Sequence, residues 1–332
     1  MLLKKFRETG PDVIILIFII LLLTWIGAFL HPHPPSELGF DVKPMPLFGL
    51  LLHIAGFNPL FSVIVAFLLL LLISFLLVDF NTSVFFISER TYLPALIYIL
   101  LSGFFPQHQV LNPLLPAAVF LILAVHRIMD SYKIQGTAFS FFDAGMLISI
   151  GSLFYANLIW FGLILIIGTA ILRTGSIKEI TISILGLATP IFILSGFFYI
   201  AGKDLNSLFS AVTYNLFVKD LHYSFPLITL VALILSGVIV FISVAHLLSV
   251  INAKKIKSRK TFLLLFWTFF IALAEGIIFK SVSAEIFILA AIPVSYFLSH
   301  YFVFTRKKVL PEVLLAALFL LTAVAQIANL IK

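Results

Sequence analysis

The sequence predicts an all-α protein, a polytopic transmembrane bundle of about eleven helices with its N-terminus in the cytoplasm. Of the 332 residues, 62% are hydrophobic and 11% are charged, which leaves too little polar surface to cover a soluble fold of this size. The apolar residues form long runs, and most lysines and arginines lie in every second gap between these runs. We therefore expect a single integral membrane domain over residues 1–332 with only short caps outside it.

The uneven distribution of basic residues predicts the orientation. Of the 21 lysines and arginines, sixteen lie in the gaps on the side of the N-terminus, and the other gaps hold Lys43, Lys203, Lys219, Lys280 and Lys332. Short loops rich in Lys and Arg remain in the cytoplasm during insertion.

The net charge of +7 predicts contact with anionic membrane lipid. We expect no nucleic acid partner, because the charges lie in separate loops instead of on one amphipathic element.

The apolar runs give the positions of the helices, since about 20 apolar residues cross a bilayer and shorter runs are tolerated inside a bundle. We place spans near residues 13–30, 59–78, 92–105, 113–126, 142–155, 157–172, 180–200, 225–250, 261–279, 285–304 and 309–331. The first follows a basic cluster as a signal sequence would, but it lacks a small-residue cleavage site, so we expect it to be retained. The fifth and sixth are joined by a tight turn, so residues 142–172 either span or re-enter.

Two longer loops are predicted on the outer side. Residues 31–57 begin with a proline-rich stretch and end with eleven apolar-leaning residues, too few to span, which favours a helix lying at the interface. Residues 202–224 form the second loop, with charged and aromatic side chains.

Glu275 is the clearest candidate for a functional side chain, because it lies inside an apolar run where an ionisable group is costly. It could act as a general base or cation ligand facing an outer cavity. The alternative is a carboxylate that is hydrated near the outer interface or paired with Lys280.

Acidic residues on the outer side form a second candidate set. Glu37 and Asp41 lie in the first outer loop, ahead of the expected interfacial helix, and this layout resembles that of multi-span glycosyltransferases that use lipid-linked sugar donors. The resemblance implies that an external carboxylate deprotonates an acceptor hydroxyl or holds a cation on a donor phosphate. The alternative is that these acids are simply solvated.

No cofactor or metal site is predicted. The chain has no cysteine, and its histidines do not occur at the spacing of a metal-binding helix. His246 and His300 are expected to be interfacial or packed histidines near the inner ends of their spans. Phosphate-binding loops, nucleophile elbows and dinucleotide fingerprints are also missing from the sequence.

Candidate lipid-binding or phosphate-binding residues lie on the cytoplasmic side. Arg90 stands at the start of the third span, where a helix N-terminus attracts anions, although a simple helix start explains the same residues. A basic cluster precedes the ninth span, and it is expected either to anchor the topology on anionic lipid or to dock a lipid phosphate or a partner protein. The cluster consists of Lys254, Lys255, Lys257, Arg259 and Lys260.

Several short motifs lie in the middle of the chain, namely SERTYLP at 88–94, FDAG at 142–145, GSLFY at 151–155, Arg173 and GLATP at 186–190. Together they resemble landmarks of an uncharacterised family of bacterial polytopic inner-membrane proteins, over roughly residues 80–200. The family often has an asparagine where Asp143 stands, and a second arginine with a tryptophan near Lys178-Glu179. The resemblance implies a bacterial inner-membrane location and supplies no activity.

Three hypotheses for the function follow. The first is a transferase that uses a polyprenyl-phosphate-linked donor at the outer face, with Glu37 or Asp41 as base or cation ligand and Glu275 as a cavity acid. The second is a transporter or lipid flippase with a cavity near Pro190, Glu275 and Pro293, although we find no internal repeat. The third is a non-catalytic membrane subunit that assembles with other envelope proteins, which the scarcity of intramembrane ionisable groups favours.

Overall fold

Every regular element in the described part of the chain is a helix, which confirms the predicted all-α class. The structure is a computed structural model, and it describes residues 2–35, 43–132, 138–173, 177–218, 227–282, 284–305, 307 and 309–331. The helices are α1 (Leu2–Arg7), α2 (Pro11–Leu30), α3 (Pro46–Ala55), α4 (Pro59–Val84), α5 (Leu93–Ser102), α6 (Leu114–Asp130), α7 (Ala138–Ser152), α8 (Leu163–Arg173), α9 (Ile177–Ile200), α10 (Leu205–Thr213), α11 (Leu227–Val250), α12 (Ile256–Ile278), α13 (Ile286–Phe304) and α14 (Val309–Leu330).

Among the described residues, seven helices are long and apolar enough to cross a membrane. They are α2, α4, α9, α11 with its short 3₁₀ extension, α12, α13 and α14. This makes the chain a multi-pass membrane protein. The predicted third to sixth spans coincide with the shorter helices α5 to α8, so the total of eleven spans and the cytoplasmic N-terminus stay predictions.

Contacts between helix ends define two ends of the bundle. We call the end at which α2 begins the near end and the opposite end the far end. At the near end, Tyr92 Oη donates to the carbonyl of Thr9 at 3.5 Å, and Arg7 Nε donates to the carbonyl of Phe302 at 2.8 Å. At the far end, Gln109 Nε2 donates to the carbonyl of Thr24 at 2.9 Å.

Helix α13 is the most enclosed of the long helices and packs against α5, α11, α12 and α6. Its buried tyrosine hydroxyl has a backbone partner, because Tyr296 Oη donates to the carbonyl of Leu77 at 2.8 Å. Tyr98 Oη donates in the same way to the carbonyl of Ile288 at 3.2 Å. These bonds let polar rings pack in an apolar interior without a desolvated hydroxyl.

The connection between α5 and α6 is buried although its backbone is largely irregular. Asn112 accepts from the backbone N–H of Leu114 at 3.1 Å and of Leu115 at 3.2 Å, and its Nδ2 donates to the carbonyl of His108 at 2.9 Å. Gln326 Nε2 donates to the carbonyl of Gly103 at 2.8 Å. Irregular backbone inside a membrane protein is stable only where its polar groups find such partners.

Helices α7 and α9 approach each other closely at two glycines. A Cβ atom on Gly145 would lie 2.5 Å from the carbonyl oxygen of Ser183, and one on Gly186 would lie 2.3 Å from that of Phe142. Glycine is therefore required at both positions for the helix backbones to meet, as at small-residue interfaces in other membrane bundles.

The return from α7 is made by a 3₁₀ segment, Ala156–Gly162, followed by α8. A 3₁₀ helix rises about 2.0 Å per residue and an α-helix about 1.5 Å, so residues 156–173 extend about 30 Å, close to the thickness of a hydrocarbon core. The length of this segment is thus compatible with a span, whereas α7 extends only about 22 Å.

Candidate functional site

Glu275 lies one turn before the far end of α12, and it is 2% exposed. Neither carboxylate oxygen has a hydrogen-bond partner among the described residues. The carboxylate is therefore neither exposed nor paired with Lys280. An unpaired acid in an apolar interior is destabilising unless it is uncharged or contacts water or a ligand part of the time.

The direction in which Glu275 points follows from its helix. Leu264 lies eleven residues before Glu275, on the same face of an α-helix with 3.6 residues per turn, and Phe279 follows the helix end with its N–H bonded to the carbonyl of Glu275. Leu264 Cδ1 packs 3.8 Å from the position of a Cβ on Gly168, and the ring of Phe279 stacks on Trp160 with 4.8 Å between centroids. Glu275 thus lies on the side of α12 that packs against the broken segment, which contains the 3₁₀ stretch and α8.

That broken segment carries further buried polar atoms. Trp160 Nε1 is buried with no hydrogen-bond acceptor among the described residues, and Asn157 Oδ1 has no donor. Asn157 Nδ2 donates to the carbonyl of Asn215 at 3.4 Å, and Asn215 Oδ1 is again buried without a donor. We call Glu275, Asn157, Trp160 and Asn215 the far-end polar cluster. Each of these four residues has at least one buried polar side-chain atom without a hydrogen-bond partner among the described residues.

Three hydrogen bonds to backbone carbonyls join the segments that cover this cluster at the far end. Asn215 Nδ2 donates to the carbonyl of Lys43 at 2.8 Å, Ser281 Oγ donates to the carbonyl of Leu216 at 2.9 Å, and the backbone N–H of Leu47 donates to the carbonyl of Leu153 at 3.1 Å. Asn215 lies in a π-helical turn, Tyr214–Val218, a rare geometry that is frequent at functional sites.

The other two predicted site acids, Glu37 and Asp41, lie outside the described residues. The described chain stops at Pro35 and resumes at Lys43, whose carbonyl belongs to the closure of the far-end polar cluster. The convergence of Glu37 and Asp41 with Glu275 therefore stays a prediction.

Two of the cavities in the described part of the chain reach toward the far end. An apolar groove of 480 Å³ runs between α11 and α13 and reaches Phe105 and Phe287 toward the far end. A more polar cavity of 700 Å³ lies at the far end between the ends of α2 and α14, with His31, Gln109 and Asn329 in its walls. Pro190 and Pro293 lie inside continuous helices and border neither cavity.

The predicted basic residues lie at the near end in different environments. Lys254 Nζ lies 3.5 Å from the centroid of the Phe304 ring, and Lys260 Nζ lies 5.6 Å from that of Tyr132. Burial lowers the pKa of Lys254, although the nearby charge of Glu89 opposes this effect. Lys255 and Arg259 are exposed and Lys257 is half-buried.

Arg90 is exposed in the strained loop between α4 and α5. Phe85 and Ser88 have positive φ angles of 54° and 68°, which non-glycine residues rarely adopt. The buried Asn81 holds this loop, because its Nδ2 donates to the carbonyl of Glu89 at 3.0 Å and its Oδ1 accepts from the N–H of Ile87 at 3.2 Å.

Sequence reasoning missed a second buried group at the near end. His300 is completely buried and neither ring nitrogen has a hydrogen-bond partner among the described residues. Its ring centroid lies 6.0 Å from that of His246, whose ring packs on Tyr301 at 5.2 Å. The sequence places His246 and His300 on separate spans, and no spacing rule predicts that α11 and α13 bring them together.

Metal ligands do not converge in the described part of the chain, where no group of three or more His, Cys, Asp or Glu side chains forms a cation site.

Comparison with known families shows that residues 43–332 match a family of unknown function, DUF6427. The chain belongs to this family. The match confirms the predicted resemblance to an uncharacterised family and is wider than the expected residues 80–200. No curated protein and no solved structure matches.

The segment matched to DUF6427 contains α3 to α14, and hence the far-end polar cluster, His246, His300 and Lys254. Helix α2, Glu37 and Asp41 precede it. The family description names no activity, so the chemistry of these residues is the basis for any functional proposal.

Proposed function

We propose that this protein is a membrane carrier that binds and releases a proton or a small cation at Glu275 during transport. The observation that carries the proposal is the buried, unpaired carboxyl of Glu275 on a membrane-spanning helix. Ionisable residues in such positions mark substrate, ion or proton pathways, because apolar packing alone gives no reason to keep them.

The surroundings of Glu275 support this proposal. Transport sites commonly lie where helices are broken, since unwound backbone and free polar atoms can coordinate a solute. Glu275 faces such a break at Ala156–Gly162, where Asn157 and Trp160 have unused polar atoms. The cluster is closed toward the far end by side-chain bonds to backbone, which can separate without unfolding a long helix.

In the proposed cycle, the closed state described above holds Glu275 uncharged, because an isolated carboxylate is strongly disfavoured in an apolar interior. Separation of the contacts of Asn215 and Ser281 admits water, and the carboxyl then ionises or exchanges its proton for a cation. We further propose that the near end faces the cytoplasm of a bacterial inner membrane, because its loops contain most of the basic residues.

Reconstitution in proteoliposomes tests the carrier proposal. Charge movement is recorded on a solid-supported membrane after concentration jumps of amino acids, sugars, carboxylates and monovalent cations, with and without a proton gradient. We expect a transient current for at least one class in the wild type, and its loss in Glu275→Gln. The control Glu89→Gln replaces an exposed acid of the same type and is expected to behave as the wild type. A Glu275→Gln current equal to that of the wild type would refute the proposal.

A second function, transfer from a polyprenyl-phosphate-linked donor, is favoured by the two cavities. The apolar groove of 480 Å³ suits a lipid chain, and the polar cavity of 700 Å³ lies at the same end of the bundle and is bordered by His33, just before the segment with Glu37 and Asp41. Single exchanges of Glu37, Asp41 and Glu275 for Ala should abolish lipid-linked sugar transfer in at least one case. Full activity in all three would exclude this function.

A stoichiometric partner recovered from native membranes, together with inactivity in both assays, would instead indicate a non-catalytic envelope subunit.

A further inference from the structure

A separate cavity of 560 Å³ lies at the near end, where α11 and α13 end. Its walls combine cationic and aromatic groups, chiefly Lys254, Lys307, His246 and Phe304, with small apolar residues. The cavity lies at the opposite end of α12 from Glu275, so it is independent of the proposed transport site.

The cationic side chains of this cavity form no ion pair with a described acid, although the charge of Glu89 acts on Lys254 from nearby. Lys254 forms no ion pair with any described residue and lies over the ring of Phe304, where burial lowers its pKa. Lys307 is exposed at the mouth of the cavity. A partly desolvated ammonium that forms no ion pair gains from an anionic ligand, because that ligand replaces its lost hydration.

Buried histidine nitrogens lie behind the cavity. His246 borders it and has a buried Nδ1 without a partner, and His300, 6.0 Å away between ring centroids, has two. The completely buried His300 is difficult to explain as packing alone, since an apolar residue would fill the same space without unsatisfied nitrogens.

The apolar part of the cavity indicates the kind of anion. Val250, Ala253 and Phe304 line it, and α11 and α13 continue from it into the apolar bundle. A free phosphate would leave these surfaces unused, whereas the phosphate and first acyl carbons of a lipid would cover both the charged and the apolar parts. Basic pockets between membrane helices bind phospholipid head groups in this way.

We propose that this near-end cavity is a binding site for one anionic phospholipid, whose phosphate is held by Lys254 and Lys307 beside His246. Within the basic cluster, only Lys254 lines this cavity. Lys255 is its sequence neighbour but does not line the cavity, so it contributes only to the diffuse surface charge.

Lipid titration of the purified full-length protein in mild detergent, followed by native mass spectrometry, tests this site. Phosphatidylglycerol is compared with phosphatidylcholine, and binding is repeated in the presence of inorganic phosphate. We expect one high-occupancy phosphatidylglycerol per chain that phosphatidylcholine does not replace. Lys254→Gln and Lys307→Gln should each weaken it roughly five-fold, the effect of about 1 kcal/mol per cation, while Lys255→Gln leaves it unchanged and Lys254→Arg retains it.

Three outcomes would overturn the proposal: equal binding of both lipids, equal losses in Lys254→Gln and Lys255→Gln, or displacement of the lipid by millimolar phosphate, which would identify a soluble anion as the ligand. Lys307 is exposed, so Lys307→Gln keeps the test valid if Lys254→Gln does not fold.

Discussion

Glu275 and His300 are buried ionisable side chains with no hydrogen-bond partner among the described residues. They lie toward opposite ends of the bundle, on helices that pack against each other. Such residues reduce stability, so their presence indicates a role in function. His300 lies behind the proposed lipid site, and Glu275 belongs to the far-end polar cluster.

Removing the carboxyl of Glu275 should therefore stabilise the protein while abolishing its transport current. We expect Glu275→Leu to raise the free energy of unfolding by on the order of 1 kcal/mol, because it removes an unpaired polar group from an apolar site. The measurement is thermal unfolding in detergent, followed by the tryptophan fluorescence of the purified protein. A clear loss of stability in Glu275→Leu would mean that the carboxyl has a structural partner.

Among the elements, the buried connection between α5 and α6 depends on one side chain. Asn112 satisfies two backbone N–H groups and donates to the carbonyls of His108 and Val110. Because Asn112 is completely buried, water does not reach its side chain to replace those bonds.

We predict that Asn112→Ala destabilises the protein by about 3 kcal/mol, since several buried backbone groups lose their partners. Asn58 is the matched control. It caps α4 through the N–H of Leu60 and of Phe61 but is exposed, so Asn58→Ala should cost about 1 kcal/mol. Both values come from thermal or chemical unfolding in the same detergent, and equal effects of the two exchanges would contradict the prediction.

The contact between α7 and α9 gives a second prediction at the level of elements. Gly186→Ala should destabilise by about 2 kcal/mol, because the added Cβ would overlap the carbonyl oxygen of Phe142 and force the helices apart. Gly196 lies on the same helix with nothing within 4 Å of an added Cβ. Gly196→Ala should be neutral or stabilising by up to about 1 kcal/mol, because alanine favours a helix. Unfolding midpoints of the two variants in detergent are the measurement, and a similar loss in both would argue against the close packing.

For the whole molecule, the orientation can be tested directly because the chain contains no cysteine. Single cysteines can be introduced at exposed lysines without further changes. With the near end in the cytoplasm, a membrane-impermeant maleimide should label Lys203→Cys in intact cells and Lys255→Cys only after permeabilisation. Labelling of both from the same side would refute the proposed topology and, with it, the external location of the far-end polar cluster.

Predictions from the sequence were best where one local property decides the structure. The long apolar runs gave α2, α4, α9, α11, α12, α13 and α14, because length and hydropathy are properties of a segment by itself. The shorter runs were ambiguous, because a helix of ten residues such as α5 is stable only through its neighbours. Glu275 was found because a charge inside an apolar run is conspicuous, whereas His300 was treated as an ordinary packed side chain.

Composition and pattern by themselves determined that this chain is a multi-pass helical membrane protein and that Glu275 is unusual, since both follow from the cost of polar groups in hydrocarbon. Tertiary structure alone decided which polar groups meet. It placed Glu275 against the broken segment at Trp160, brought His246 to His300, and left Lys254 beside a cavity without an acid. The physical reason is that contacts between distant segments depend on how helices pack, and the packing face of each apolar helix is not marked in a sequence that is hydrophobic on nearly every side.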